Sequence, residues 1–125
     1  MGITYEIRTD GTLVISARGA LRAEDLASLR AAWQKDSRIA AVKSTLVDCR
    51  EVTSWDLPSA AVRQFAVTRE RTPHLNRPDS RLAIVATTNV GFGLARLYAQ
   101  SGDAYGEIEV FRAMEEAEAW LARAK

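Results

Sequence analysis

Apolar and polar residues alternate in two short runs near the start of the chain, Ile3, Tyr5 and Ile7 and then Leu13, Ile15 and Ala17, with Asp10-Gly11 between them. Alternation of period two buries one face of a strand, and Asp-Gly accepts the positive φ of a tight turn, so the pattern predicts an antiparallel hairpin. From about Ala23 the spacing lengthens to three and four at Leu26, Leu29 and Trp33; with Glu24 and Asp25 early in the run, this predicts an amphipathic helix ending near Lys35. The segment KSTLVDC, residues 43–49, is rich in β-branched and aliphatic side chains and predicts a third strand. Leu57-Pro58 opens a second helix, because proline is tolerated in a first turn, and Val62, Phe65, Ala66 and Arg69 keep helical spacing after it. A surface loop between Pro73 and Pro78 leads into RLAIVAT, residues 81–87, whose nearly unbroken apolar run predicts a strand covered on both faces at the centre of the sheet. Gly91 and Gly93 precede a third helix with Leu94, Leu97 and Tyr98, Ser101-Gly102-Asp103 ends it, and EIEVF supplies a fifth strand. Ala113, Ala117, Trp120, Leu121 and Ala124 share one stripe of a closing helix.

The order β-β-α-β-α-β-α-β-α implies an α/β fold: a mostly parallel five-stranded sheet with an antiparallel hairpin at its start and four helices. Its 125 residues fall in the usual single-domain range, with no repeat or linker, so residues 1–125 are read as one domain. Seventeen basic against sixteen acidic residues leave a net charge of +1, which argues against whole-domain attraction to nucleic acid or anionic membrane. One cysteine, Cys49, excludes an internal disulfide and a cysteine-based zinc site. No secretory signal or apolar run long enough for a membrane span is evident, so a soluble cytoplasmic protein is the expectation.

In open parallel sheets ligands bind beyond the carboxyl ends of the strands, where loops and helix amino termini converge. That rule selects Asp48 and Arg50 after the third strand, Trp55, Asp56 and Ser59 before and at the second helix, and Thr87, Asn89 and Gly91 after the fourth strand. The plainer reading is that such polar residues cap helices and close turns. Gly91-Phe92-Gly93-Leu94-Ala95-Arg96 with Glu109 is a partial dinucleotide fingerprint, but Arg96 stands where glycine permits close helix–strand packing. Cys49, His74 and Asp48 have the residue types of a nucleophile, base and orienter, although a triad is defined by geometry rather than composition. A lone histidine among scattered carboxylates gives no metal-ligand spacing, and no cofactor is expected. Arg63, Arg69, Arg71, Arg77 and Arg81 accumulate against Glu70 and Asp79, a solvated face or an anion-binding one. Glu115, Glu116 and Glu118 suit the start of the last helix. Of the three tryptophans, Trp33 and Trp120 fit helical core stripes, while Trp55, placed in a loop, is expected to line a pocket or an interface.

Three stretches, LVDCREVTSWD, RLAIVATTNVGFGLARLY and EVFRAMEEAEAWL, together with the hairpin resemble a STAS domain, and more closely the SpoIIAA-like family of small bacterial proteins. The resemblance implies a regulatory or ligand-binding module rather than an enzyme. In anti-sigma-factor antagonists of this kind an Asp is followed by Ser-Ser-Gly, and a serine there is phosphorylated. Asp56 stands at that Asp, but Leu57, Pro58 and Ser59 replace the triplet, so the resemblance implies a module without the usual switch, Ser59 being the nearest hydroxyl. SpoIIAA-like proteins also resemble CRAL-TRIO lipid-binding domains in fold, which implies a small apolar, lipid-like or anionic ligand as the alternative to a regulatory protein partner. A homodimer is a third expected assembly, and a small hydrolase or transferase using the Cys49 thiol or Asp48 a fourth reading.

Overall fold

Turn chemistry and alternation agree at the amino terminus, and the hairpin forms there. Gly11 adopts φ +88°, its N–H donates to Arg8 O at 2.9 Å, and the Asp10 carboxylate accepts from Thr12 N. The computed structural model describes residues 2–72, 74–75, 77–101 and 106–123, without the Glu70 side chain. Its elements are β1 (Ile3–Ile7), β2 (Leu13–Arg22), α1 (Ala23–Gln34), β3 (Ser44–Asp56), α2 (Ser59–Val67), β4 (Arg81–Val85), α3 (Asn89–Gln100), β5 (Glu107–Phe111) and α4 (Met114–Ala122), with 3-10 turns over Ser37–Ala41 and Thr68–Arg71. The sheet runs β1-β2-β3-β4-β5, antiparallel between β1 and β2 and parallel thereafter.

Helices cover the two faces unequally. Leu29 and Trp33 of α1 pack on Leu13 and Ile15, and Ala95 of α3 packs on Cys49, Leu82 and Ile84; α2 adds Phe65 to the same side. On the opposite face Ala117 and Leu121 of α4 meet Leu46, Ala83 and Val85. Burial of each such aliphatic side chain stabilises the fold by about 1.5–3 kcal/mol. Local signals set the helix starts: the Asp25 carboxylate accepts from Arg22 N at 2.9 Å, and Thr88 Oγ1 accepts from Gly91 N at 3.1 Å.

Several expectations change. β3, not β4, is the central strand; β4 nevertheless has helices on both faces, which explains its unbroken apolar run. α3 begins at Asn89, so Gly91 and Gly93 lie inside its first turns rather than before it. His74 is not on a surface loop: it is 0% exposed, edge-on to Trp33 with ring centres 4.6 Å apart. Pro73, Gly102, Asp103 and Ala124 lie outside the described residues.

β3 also extends well past residue 49, to Asp56. Its pairing with β2 steps from Ser16↔Asp48 to Arg18↔Glu51, and from Gly19↔Val52 to Ala20↔Ser54. At each step β3 carries one residue more than β2, which makes two bulges. Each extra residue resets the alternation, so Cys49, Val52 and Trp55, three apart, all face the side of α1–α3 and join one core cluster. Trp55 is therefore a strand residue opposite Leu21 rather than a loop residue.

Candidate functional site

The parallel pairing of Asp48 with Val85 brings Asp48, Cys49 and Thr87 to the same end of the sheet, as expected. The sheet then separates the candidates by face. Leu46 packs under α4, so Asp48, two residues on, lies on the α4 side. Asp48 binds Arg50 through two contacts, Nε–Oδ1 at 2.9 Å and Nη2–Oδ2 at 3.0 Å, and also accepts from Arg50 N. The Arg50 hydrogen bonds hold the Asp48 carboxyl below its ordinary pKa. Asp56, the neighbour of Trp55, faces away from α1–α3 and accepts from Ser54 Oγ at 2.7 Å. Ser59 is exposed in the first turn of α2, and Thr87 and Asn89 are exposed on either side of the Thr88 cap. Besides the Asp48–Arg50 pair, Trp55 and Gly91 meet closely: a Cβ on Gly91 would overlap Trp55 Cζ2 and lie 2.8 Å from Cε2. Gly91 thus makes room for an indole, which accounts for the first glycine of the partial fingerprint without a nucleotide.

Between the sheet and α1–α3 runs an apolar cavity of about 100 Å³. Thr45, Val47, Cys49 and Trp55 of β3 form its floor, with Phe65 of α2 and Tyr98 of α3 among the residues opposite. Among the described residues no charged side chain lines it. Three lining residues nevertheless carry a buried polar atom without a hydrogen-bond partner: Trp33 Nε1, Thr45 Oγ1 and Trp55 Nε1. Both ring nitrogens of His74, which lies edge-on to Trp33, are likewise unpartnered. Buried polar groups are normally satisfied, so this concentration around one cavity singles it out. Sequence reasoning treated Trp33 as core and passed over Thr45. The available signal was a hydroxyl in the inward phase Thr45, Val47, Cys49 of an otherwise apolar strand.

The thiol chemistry loses its basis here. Burial, with Asp48 nearby, pushes the Cys49 thiol up to about 12, opposite to what a nucleophilic thiolate requires. Burial also lowers His74 to about 4. The arginine-rich segment is not one face either. Arg69 is 2% exposed, lies over the Tyr98 ring at 4.5 Å and donates to Tyr98 O and Ser101 O, whereas Arg77 pairs with Asp79 and Arg81 with Glu107. Glu118 does not serve the start of α4; it makes a bidentate pair with Arg8 at 2.8 and 3.0 Å. Trp120 packs on Phe111 and under Arg81, outside the cavity. Among the described residues no three His, Cys, Asp or Glu side chains could hold a metal ion, and no helix is long and apolar enough to cross a membrane.

With this geometry in view, the chain superposes on solved structures over nearly its whole length. An uncharacterized protein of the DUF3478 family with a SpoIIAA-like fold, from Shewanella loihica PV-4, gives a TM-score of 0.63 at 22% sequence identity, covering 96% of this chain and 93% of that one. The anti-sigma factor antagonist SpoIIAA in its unphosphorylated form gives 0.62 at 16% identity, with 97% of each chain covered. The class is thus an α/β fold, a five-stranded mixed sheet with helices on both faces. More particularly, it is the SpoIIAA-like fold that the sequence resembles. No protein-family model and no curated protein matches the chain.

Proposed function

We propose that the protein is a non-enzymatic STAS-type module that binds a small apolar molecule between β3 and the α1–α2–α3 layer. The observation that carries this reading is the uncharged cavity itself, whose walls are formed almost wholly by apolar atoms. Packed interiors seldom keep such space, and a dry apolar cavity of roughly 150 Å³ is enough to take up benzene. Pro58 at the amino end of α2 removes the hydroxyl that the serine switch needs, so occupancy of the cavity, not phosphorylation, is the natural input; Ser59 is exposed beside it. Toluene titration tests the reading. A saturable rise in Tm, abolished by the cavity-filling change Ala95→Leu, is expected. No shift in the parent protein would reject it.

The second reading is a regulatory protein partner at the carboxyl edge of the sheet. It is favoured by Val90, 61% exposed in the first turn of α3 and flanked by the exposed Thr87 and Asn89. Val90→Glu would weaken such a complex and leave toluene uptake unchanged, which separates the two readings.

A further inference from the structure

Of the arginine-rich stretch between residues 63 and 81, Arg69 is spent on backbone carbonyls and Arg77 and Arg81 on acidic partners. Arg71 is different: among the described residues it has neither a hydrogen bond nor an ion pair. It ends the 3-10 turn Thr68–Arg71, which sets it beside the last turns of α1 and the 3-10 turn Ser37–Ala41. These segments enclose an open surface hollow of about 330 Å³ near the start of β3, away from the edge that holds Asp48 and Thr87. The buried side chains of Trp33 and Ile39 are its floor.

Arg30 of α1 is a second cation in the same hollow, half-buried and equally without a partner among the described residues. The acid that lines the hollow, Asp36, serves neither arginine, because both its oxygens are occupied. Oδ1 accepts from Arg38 N and Nε at 3.1 and 2.9 Å, and Oδ2 from Arg38 Nη2 and the Tyr5 hydroxyl at 2.7 and 2.9 Å. Three further surface hollows each carry at least as many acidic as basic residues on their described linings, so an uncompensated positive charge sets this one apart. Arg71 is exposed, and each guanidinium fork stands on a flexible stem, so both can turn toward one anion in the hollow they line.

Two forks of this kind match the paired oxygens of a phosphate, and two positive charges favour a dianion over a monoanion. A phosphate monoester carries close to two negative charges at neutral pH and three strong acceptor oxygens. Ile39 and Ala40 offer its organic group an apolar surface.

We propose that this hollow binds a small organic phosphate, its dianionic head held between Arg30 and Arg71 and its apolar body laid on Ile39 and Ala40. The site is separate from the apolar cavity, although Trp33 lines both.

Calorimetric titration of the full chain at pH 7.5 tests this with three probes. Phenyl phosphate has head and body, phenyl sulfate has the same shape with one charge fewer, and inorganic phosphate has the head alone. Phenyl phosphate should bind and move the Trp33 indole N–H resonance of 15N-labelled protein, leaving Trp120, on the other face of the sheet, unmoved. Phenyl sulfate should bind about tenfold more weakly and inorganic phosphate about fivefold more weakly. Arg30→Gln and Arg71→Gln should each weaken phenyl phosphate at least tenfold, roughly the scale of one charge-assisted hydrogen bond. Arg63→Gln, which removes an exposed charge of α2 outside the hollow, should change nothing. Equal affinity for phenyl phosphate and phenyl sulfate, or binding that survives both Arg30→Gln and Arg71→Gln, would overturn the arginine clamp. Inorganic phosphate binding as tightly as phenyl phosphate would overturn the apolar body. Silence from all three probes would overturn the site altogether while leaving toluene uptake by the separate cavity untouched.

Discussion

Within the folded protein His74 is neutral, because burial lowers its pKa to about 4 from the ordinary 6.5. The unfolded chain therefore binds one more proton between those values, and stability rises with pH across that window. The contribution is whole above pH 6.5 and is lost as the pH falls toward 4, by about 3 kcal/mol at the bottom. Urea titrations at pH 7 and pH 4.5 should reveal the loss, and His74→Leu should flatten it. Gly91→Ala makes a second prediction at this scale. The new methyl would displace the Trp55 indole, destabilising the fold by about 1–3 kcal/mol and shifting the tryptophan emission. Single residues were the least legible part of the sequence. His74 between Pro73 and Leu75 reads as a loop residue, because nothing local says that Trp33, forty-one positions earlier, will cover it. The Asp48–Arg50 pair, by contrast, was visible as two nearby polar residues, but not the face on which they would lie.

Elements were legible wherever local chemistry and tertiary burial agree. The hairpin, the proline start of α2, EIEVF and the last helix all follow from period and caps. β3 was cut short because its inward residues after Cys49 recur every three positions, a spacing that alternation does not recognise and that the two bulges alone explain. The end of α3 was legible at Ser101, but the group that stabilises it was not, since it comes from a distant turn. The Arg69 guanidinium, in the 3-10 turn after α2, donates to the carbonyls of Tyr98, which also accepts from Ser101 N, and of Ser101 at the end of the helix. Arg69→Met should cost about 2–3 kcal/mol in urea unfolding, with faster hydrogen exchange at the last turn of α3 than at α4.

For the whole molecule, sequence pattern foretold a mostly parallel five-stranded sheet with an antiparallel hairpin at its start, because alternating strands and helices leave few alternatives. It misplaced the centre of the sheet because a hairpin on one side shifts the middle from β4 to β3. The candidate edge divided into two faces for the same reason that made it attractive: residues adjacent in sequence on a strand point in opposite directions. Cys49 reports on the intact molecule. Its thiol should react with Ellman's reagent at pH 8 only as fast as the protein opens, and toluene in the cavity should slow that reaction by a factor of about one plus the ratio of free toluene to its Kd. The doubled bulge, finally, means that this chain is two residues longer than its shape requires. Deleting Glu51, Thr53 or both would bring an irregular strand closer to an ordinary one with Trp55 still across from Leu21. The same excision at Val47 would invert everything downstream. Natural variation in length should therefore gather between Cys49 and Trp55, inside a central strand, where a gap is normally least expected.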